Sequence, residues 1–241
     1  MKKFRTTIIV SVILICFSSF MLGKCSESMY MYCGIEFESS IYTYILNALI
    51  FICFVLVEKN TPLSYFAENN IVKLVRIHSR RKALFYDIVI IFITVLFLEM
   101  FETISVLAGS VFYGRKIIYK SLMVYFVLNY IIKLFLILLQ YMLEISIAYN
   151  FSFLIVYAIF ICGLYSGGDI YERMLSVSDV SEQKLYERLN KFNLANYTSL
   201  SRIKDMSGNV LWTTMCVLAM IVFVVGVLCV YIKKVDLLKK D

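Results

Sequence analysis

Apolar residues in this 241-residue chain fall into about six blocks, separated by segments that hold most of the charge. The blocks run over 8–22, 41–57, 84–107, 121–141, 145–165 and 210–232. Each approaches the ~20 residues that a helix needs to cross a hydrocarbon layer of ~30 Å. A segment in lipid must satisfy its own backbone hydrogen bonds, so blocks of this kind predict membrane helices. Tyr42, Tyr44, Tyr141, Tyr165 and Trp212 stand near the block edges, where rings with one apolar and one wet side are favoured. The pattern predicts an all-α polytopic transmembrane helical bundle of about six spans, forming a single domain over residues 1–241.

Composition agrees: 61% of the residues are hydrophobic and there is one proline, well outside the range of soluble domains. An even number of spans puts both termini on one side, and the basic residues indicate which. Lys2, Lys3 and Arg5, then Lys233, Lys234, Lys239 and Lys240, flank the ends; Lys59, Lys73, Arg76, Arg80, Arg81 and Lys82 lie between the second and third blocks. The opposite side has Lys24, Arg115, Lys116, Lys120 and a long fifth loop with equal numbers of basic and acidic residues. The positive-inside rule then makes both termini cytoplasmic, in a multi-pass protein of the cell membrane. Anionic lipid heads suit the basic face, so the net charge of +7 calls for no nucleic acid.

The first block has the look of a secretory signal, with basic Met1–Thr7 ahead of apolar Ile8–Phe20, and Leu22-Gly23-Lys24-Cys25 approaches a lipoprotein cleavage site. Lys24 stands where a small residue is needed, which favours an uncleaved anchor. Of the seven cysteines, Cys16, Cys53, Cys162, Cys216 and Cys229 fall within spans as small apolar packing residues. Cys25 and Cys33 share one short outward loop. In an oxidising medium they could close a small disulfide ring; two free thiols are the alternative.

No enzyme signature is present. His78 is the single histidine, and no His/Cys cluster has metal spacing, so no metal site is expected. Gly109–Lys116 superficially resembles a phosphate-binding loop but lacks its lysine followed by serine or threonine, and reads as a short outward turn. The chain is expected to carry no cofactor and no catalytic residues of its own.

Three regions carry the remaining information. Glu99 and Glu102, three residues apart in the third block, share a helix face, and Lys133 lies near the middle of the fourth. Intramembrane charges of this kind are functional candidates and must face protein or water. Glu99–Lys133 is the favoured pair, at depths differing by ~5–8 Å from the rise of 1.5 Å per residue; a register-fixing ion pair and a substrate-handling one are both open. Glu144 is expected at a wet cytoplasmic edge.

The outward segment 166–209 starts at Gly167 and Gly168, read as flexible. Asp179 and Glu182 then fit a variant capping box, and Leu185, Leu189 and Phe192 recur at i, i+4 and i+7. This predicts an amphipathic helix of about three turns, either on the outer membrane surface or as a lid over the spans. Asn196 and Thr198 form an acceptor sequon.

The cytoplasmic segment 58–83 is long and basic. It predicts a helix starting near Asn69 or Asn70 with Ile71, Leu74 and Val75, extended by His78, on one face and Lys73, Arg76 and Arg80 off it, to lie in the membrane interface or dock a partner; a lipid-facing basic loop that only fixes topology is the alternative. The run Arg76, Ile77, His78, Ser79, Arg80, Arg81, Lys82, Ala83, Leu84, followed by a long apolar block, resembles the R-x-x-S-R-K/R-K-x-W/L segment entering the third span of small Gram-positive membrane permeases. These belong to the type-2 exporter branch of ATP-binding-cassette (ABC) transporters, many linked to antimicrobial-peptide export or immunity. The length, six spans and large loop before the last span are also similar. The resemblance implies a permease that pairs with a second copy or homologue and with cytoplasmic ATPase subunits, which bind ATP and magnesium. It also implies that the loop between spans two and three transmits nucleotide closure, with Asn70, Lys73, Arg76, Ser79, Arg80 and Arg81 as coupling residues. The cargo would be a peptide or other amphipathic or hydrophobic molecule.

Two other classes compete. A non-transporting bacteriocin-immunity or peptide-sensing protein would use the same spans and need no ATPase. A proton- or ion-coupled carrier would make Glu99, Glu102 and Lys133 central, although no inverted repeat is visible.

Overall fold

The computed structural model describes residues 2–25, 36–37, 39–59, 80–114, 119–147, 149–206 and 208–231. Among these residues it is all-helical. The order is α1 (Lys2–Cys25), α2 (Ile41–Lys59), α3 (Arg80–Phe112), α4 (Tyr119–Ser146), α5 (Tyr149–Ser176), α6 (Val180–Phe192), a 3-10 helix (Leu194–Thr198), α7 (Leu200–Asp205) and α8 (Val210–Tyr231).

Five of these helices contain apolar stretches long enough to cross a membrane: Thr6–Gly23, Leu84–Phe112, Tyr119–Ile145, Phe151–Ser176 and Val210–Val230. The apolar part of α2, Ile41–Val57, is shorter. These elements make the protein membrane-embedded in character. α4 is the central helix: 61% of its apolar stretch is buried, against 28–39% in the other four, and α2, α3, α5 and α8 pack around it. Along α8 the side chains of Leu211, Trp212, Met215, Leu218, Val222 and Phe223 are exposed, as lipid contact requires.

Helix association in lipid rests on close packing and polar contacts, because lipid tails are as apolar as the helices. Two glycine crossings supply the first. A Cβ on Gly23 of α1 would lie 2.9 Å from the Gly109 backbone on α3, and a Cβ on Gly109 would run into the Phe20 carbonyl. Gly109 is therefore a helix-crossing residue, not part of an outward turn; α3 continues to Phe112. The chain turns only at Tyr113 and Gly114, whose φ of +66° is the left-handed conformation that ends helices at glycine.

The second crossing corrects the reading of the Gly167–Gly168 region. α5 runs ten residues beyond Ser166, so both glycines are helical. They are small to admit neighbours, since Cβ atoms at Gly163 and Gly167 would meet Asn193 and Asn196, and one at Gly168 would meet the Tyr44 hydroxyl. Beyond α5, short polar side chains start each new element, accepting orphan N–H groups. Asp179 accepts from Ser181 N, Asn193 from Ala195 N, Ser199 from Arg202 N, and Asn209 from Leu211 N.

Candidate functional site

Glu99, Glu102 and Lys133 come together. From α4, the Lys133 ammonium lies 2.8 Å from Glu99 Oε2 and 2.5 Å from Glu102 Oε2 on α3. The relative exposures are 3%, 0% and 1%, so the cluster is sealed in the bundle. The lysine stem reaches both carboxylates, which the three-residue spacing sets on one face. α2 closes a third side: the Phe54 ring centroid is 4.6 Å from the ammonium, a cation–π distance. The Cys53 thiol bonds to Ser11 of α1 and lies within the field of Glu102. Four helices thus meet at one polar centre. Lys133 has three protons to donate and two go to carboxylates. Glu99 Oε1 and Thr103 Oγ1, one turn apart on α3, are buried without hydrogen-bond partners.

A second polar pair lies towards the start of α3. Tyr141 of α4 donates to Asp87 Oδ2 at 2.9 Å, and both side chains are buried. Tyr141 is therefore not an interfacial ring. One residue earlier, Gln140 donates to the Val55 carbonyl of α2 and to Glu144 Oε1. Glu144, at 9% exposure, is buried rather than at an open edge. In the sequence Asp87 stands just inside the apolar block, close behind the basic run, and so has the pattern of a charged span edge.

Arg202 is the third centre, and in the sequence it stands only as one of the basic residues of a loop of balanced charge. Its side chain is fully buried. Nη1 donates to the Leu164 carbonyl at 3.0 Å and to Asn196 Oδ1 at 2.8 Å; Nη2 donates to the Tyr44 hydroxyl at 2.6 Å and the Glu36 carbonyl at 3.4 Å. The Phe37 ring covers the guanidinium at 4.7 Å. Burial lowers its pKa, opposed by Tyr44 and Asp205, but guanidinium is basic enough to stay charged. Asn196 is fully buried and committed to Arg202 and Asn190, so the sequon is closed to modification.

The helix expected over this segment forms as α6. Asp179 caps α6, accepting from the backbone and the hydroxyl of Ser181. Leu185, Leu189 and Phe192 lie on its surface at 55%, 45% and 87% exposure, so they neither pack on the spans nor form a closed lid.

Among the expected coupling residues, Asn70, Lys73, Arg76 and Ser79 lie outside the described residues. Arg80 and Arg81 form the first turn of α3. Cys33 also lies outside them; Cys25 ends α1. Cys53 is buried as expected of a packing residue, whereas Cys162, Cys216 and Cys229 are exposed on the helix surfaces. No group of His, Cys, Asp and Glu among the described residues is arranged to hold a metal ion.

No protein-family model matches the chain, and neither a curated protein nor a solved structure shows significant similarity to it.

Proposed function

We propose that this protein is the membrane-spanning subunit of an ATP-driven exporter, with six spans, both termini cytoplasmic, and ATP hydrolysed by separate subunits. Its cargo is a peptide or another amphipathic or hydrophobic molecule. The observation that carries this reading is the continuity of α3. One unbroken helix of 33 residues, about 50 Å long at 1.5 Å per residue, begins in the basic run Arg80-Arg81-Lys82. It passes Asp87, then reaches the buried cluster at Glu99 and Glu102.

In this reading nucleotide closure moves the basic segment, and α3 carries the displacement to α4 through Lys133 and to α1 through the Gly23–Gly109 crossing. The resemblance of residues 76–84 to type-2 ABC permeases supports the same assignment. α2 serves as the sixth span: its apolar part is short, but it is packed inside the bundle through Phe51, Phe54 and Val55.

The test is gentle purification of the tagged protein from its native membrane, with mass spectrometry of what accompanies it. The reading predicts a nucleotide-binding subunit at near-equal amount, lost when Arg76, Arg80 and Arg81 are replaced together by glutamate. Recovery of the protein alone would overturn it. The competing reading, a peptide-sensing or immunity protein, is favoured by one feature, the uncovered apolar side of α6, and that outcome would put it first.

A further inference from the structure

Two carboxylates face one ammonium at the Glu99–Glu102–Lys133 cluster, and all three side chains are buried. With every group ionised, one negative charge would stand uncompensated deep among apolar helices. A carboxylate so placed is strongly disfavoured and takes up a proton instead. The oxygens show where. Lys133 occupies one oxygen of each carboxylate, and Glu99 Oε1, fully buried, has no partner. The Thr103 hydroxyl, one turn further along α3, is also buried and unpartnered.

We infer that this cluster is a proton-binding site that holds one exchangeable proton, seated on Glu99 and stabilised by the Glu102–Lys133 pair beside it. The titratable groups acting on Glu99 are Glu102 on its own helix and Lys133 on α4; Cys53 on α2 faces Glu102, and α1 presents the uncharged Ser11. With the proton bound, the cluster is neutral and holds α3 against α4. Its release leaves a net negative charge that can be accommodated only by water entry or by separation of the two helices. The proton is thus a latch on the α3–α4 contact. This inference does not depend on the exporter reading.

Infrared spectroscopy of the purified protein in lipid at neutral pH counts protonated carboxyls by their C=O stretch. Asp87 and Glu144 are other buried carboxyls, so each variant is read as a difference from D87N, in which the Glu144 contribution is constant. Relative to D87N, the inference predicts the loss of one carboxyl's worth of band in D87N/E99Q and in D87N/E102Q, where the remaining carboxylate and Lys133 neutralise each other. It predicts the gain of one further carboxyl's worth of band in D87N/K133M, where both carboxyls need a proton. Should D87N not fold, E99Q and E102Q against the wild type give the same one-carboxyl loss over a constant background. An unchanged band in both glutamine variants would overturn the inference. So would no protonated band together with stability that depends on sodium or potassium, which would assign the site to a cation.

Discussion

Arg202 and Tyr44, 158 residues apart in sequence, are joined by a 2.6 Å hydrogen bond from the guanidinium to the phenol oxygen. Tyr44 in turn donates to the Phe37 carbonyl at 3.1 Å. The pair binds the α7 region to the start of α2 and to the residues just before it. Y44F removes both this hydrogen bond to a charged group, worth about 1.5–3 kcal/mol, and the one to the Phe37 carbonyl, worth about 0.5–1.5 kcal/mol. R202M strands several buried acceptors and is expected to cost about 3–5 kcal/mol. Denaturant unfolding in detergent, followed by circular dichroism, should rank R202M below Y44F and Y44F below the wild type. R202K should rescue little, since one ammonium cannot span the partners of both terminal guanidinium nitrogens.

Glycine positions differ sharply in what an added methyl group meets. At Gly109 and Gly167 it meets backbone or a buried polar pair, whereas at Gly226 on α8 nothing lies within 4 Å. G109A and G167A are each expected to destabilise the fold by about 1–3 kcal/mol through overpacking. G226A should be neutral or slightly stabilising, by less than about 1 kcal/mol, from its better helix propensity. Thermal unfolding of the three variants side by side checks the order.

Removing Lys133 leaves two buried carboxyls facing each other; removing Glu99 leaves a matched pair. K133M should therefore cost about 3–5 kcal/mol and E99Q much less. Adding E99Q and E102Q to K133M should restore a large part of the loss. A double-mutant cycle on unfolding free energies measures this coupling, and additive effects would show that the charges do not act as one unit.

At the start of α6, hydrogen bonds from the Ser181 backbone and then from its hydroxyl hold the Asp179 carboxyl below its usual pKa. A folded-state pKa that is depressed gives stabilisation present above the ordinary aspartate range and lost as pH falls through the depressed value. Amide exchange over residues 180–183, corrected for its intrinsic pH dependence, should therefore speed up on acidification in the wild type. In D179A it should be fast already at neutral pH, and in D179N largely protected and insensitive to acid.

Much of this architecture is written in local patterns. Apolar blocks located the long helices, and the period of Leu185, Leu189 and Phe192 together with Asp179 located α6. The Glu99, Glu102 and Lys133 cluster was legible because charge inside an apolar block has few places to go. Gly167 and Gly168 were misread because a glycine pair looks the same in a hinge and in a tight crossing, and only the approach of Asn196 and Tyr44 distinguishes them. Arg202 was hidden for a similar reason: its partners include two carbonyls, an amide and a phenol, and carbonyls occur at every position of a chain.

Continuity of α3 from its basic start to the buried cluster is the core of the functional account, and its first residue, Arg80, gives direct access to it. A photo-crosslinking amino acid placed at position 80 should, in native membranes, form an adduct with a cytoplasmic nucleotide-binding protein. The yield should change when ATP is added to inside-out vesicles. Adducts with lipid alone, or labelling of position 80 from outside intact cells, would contradict the account.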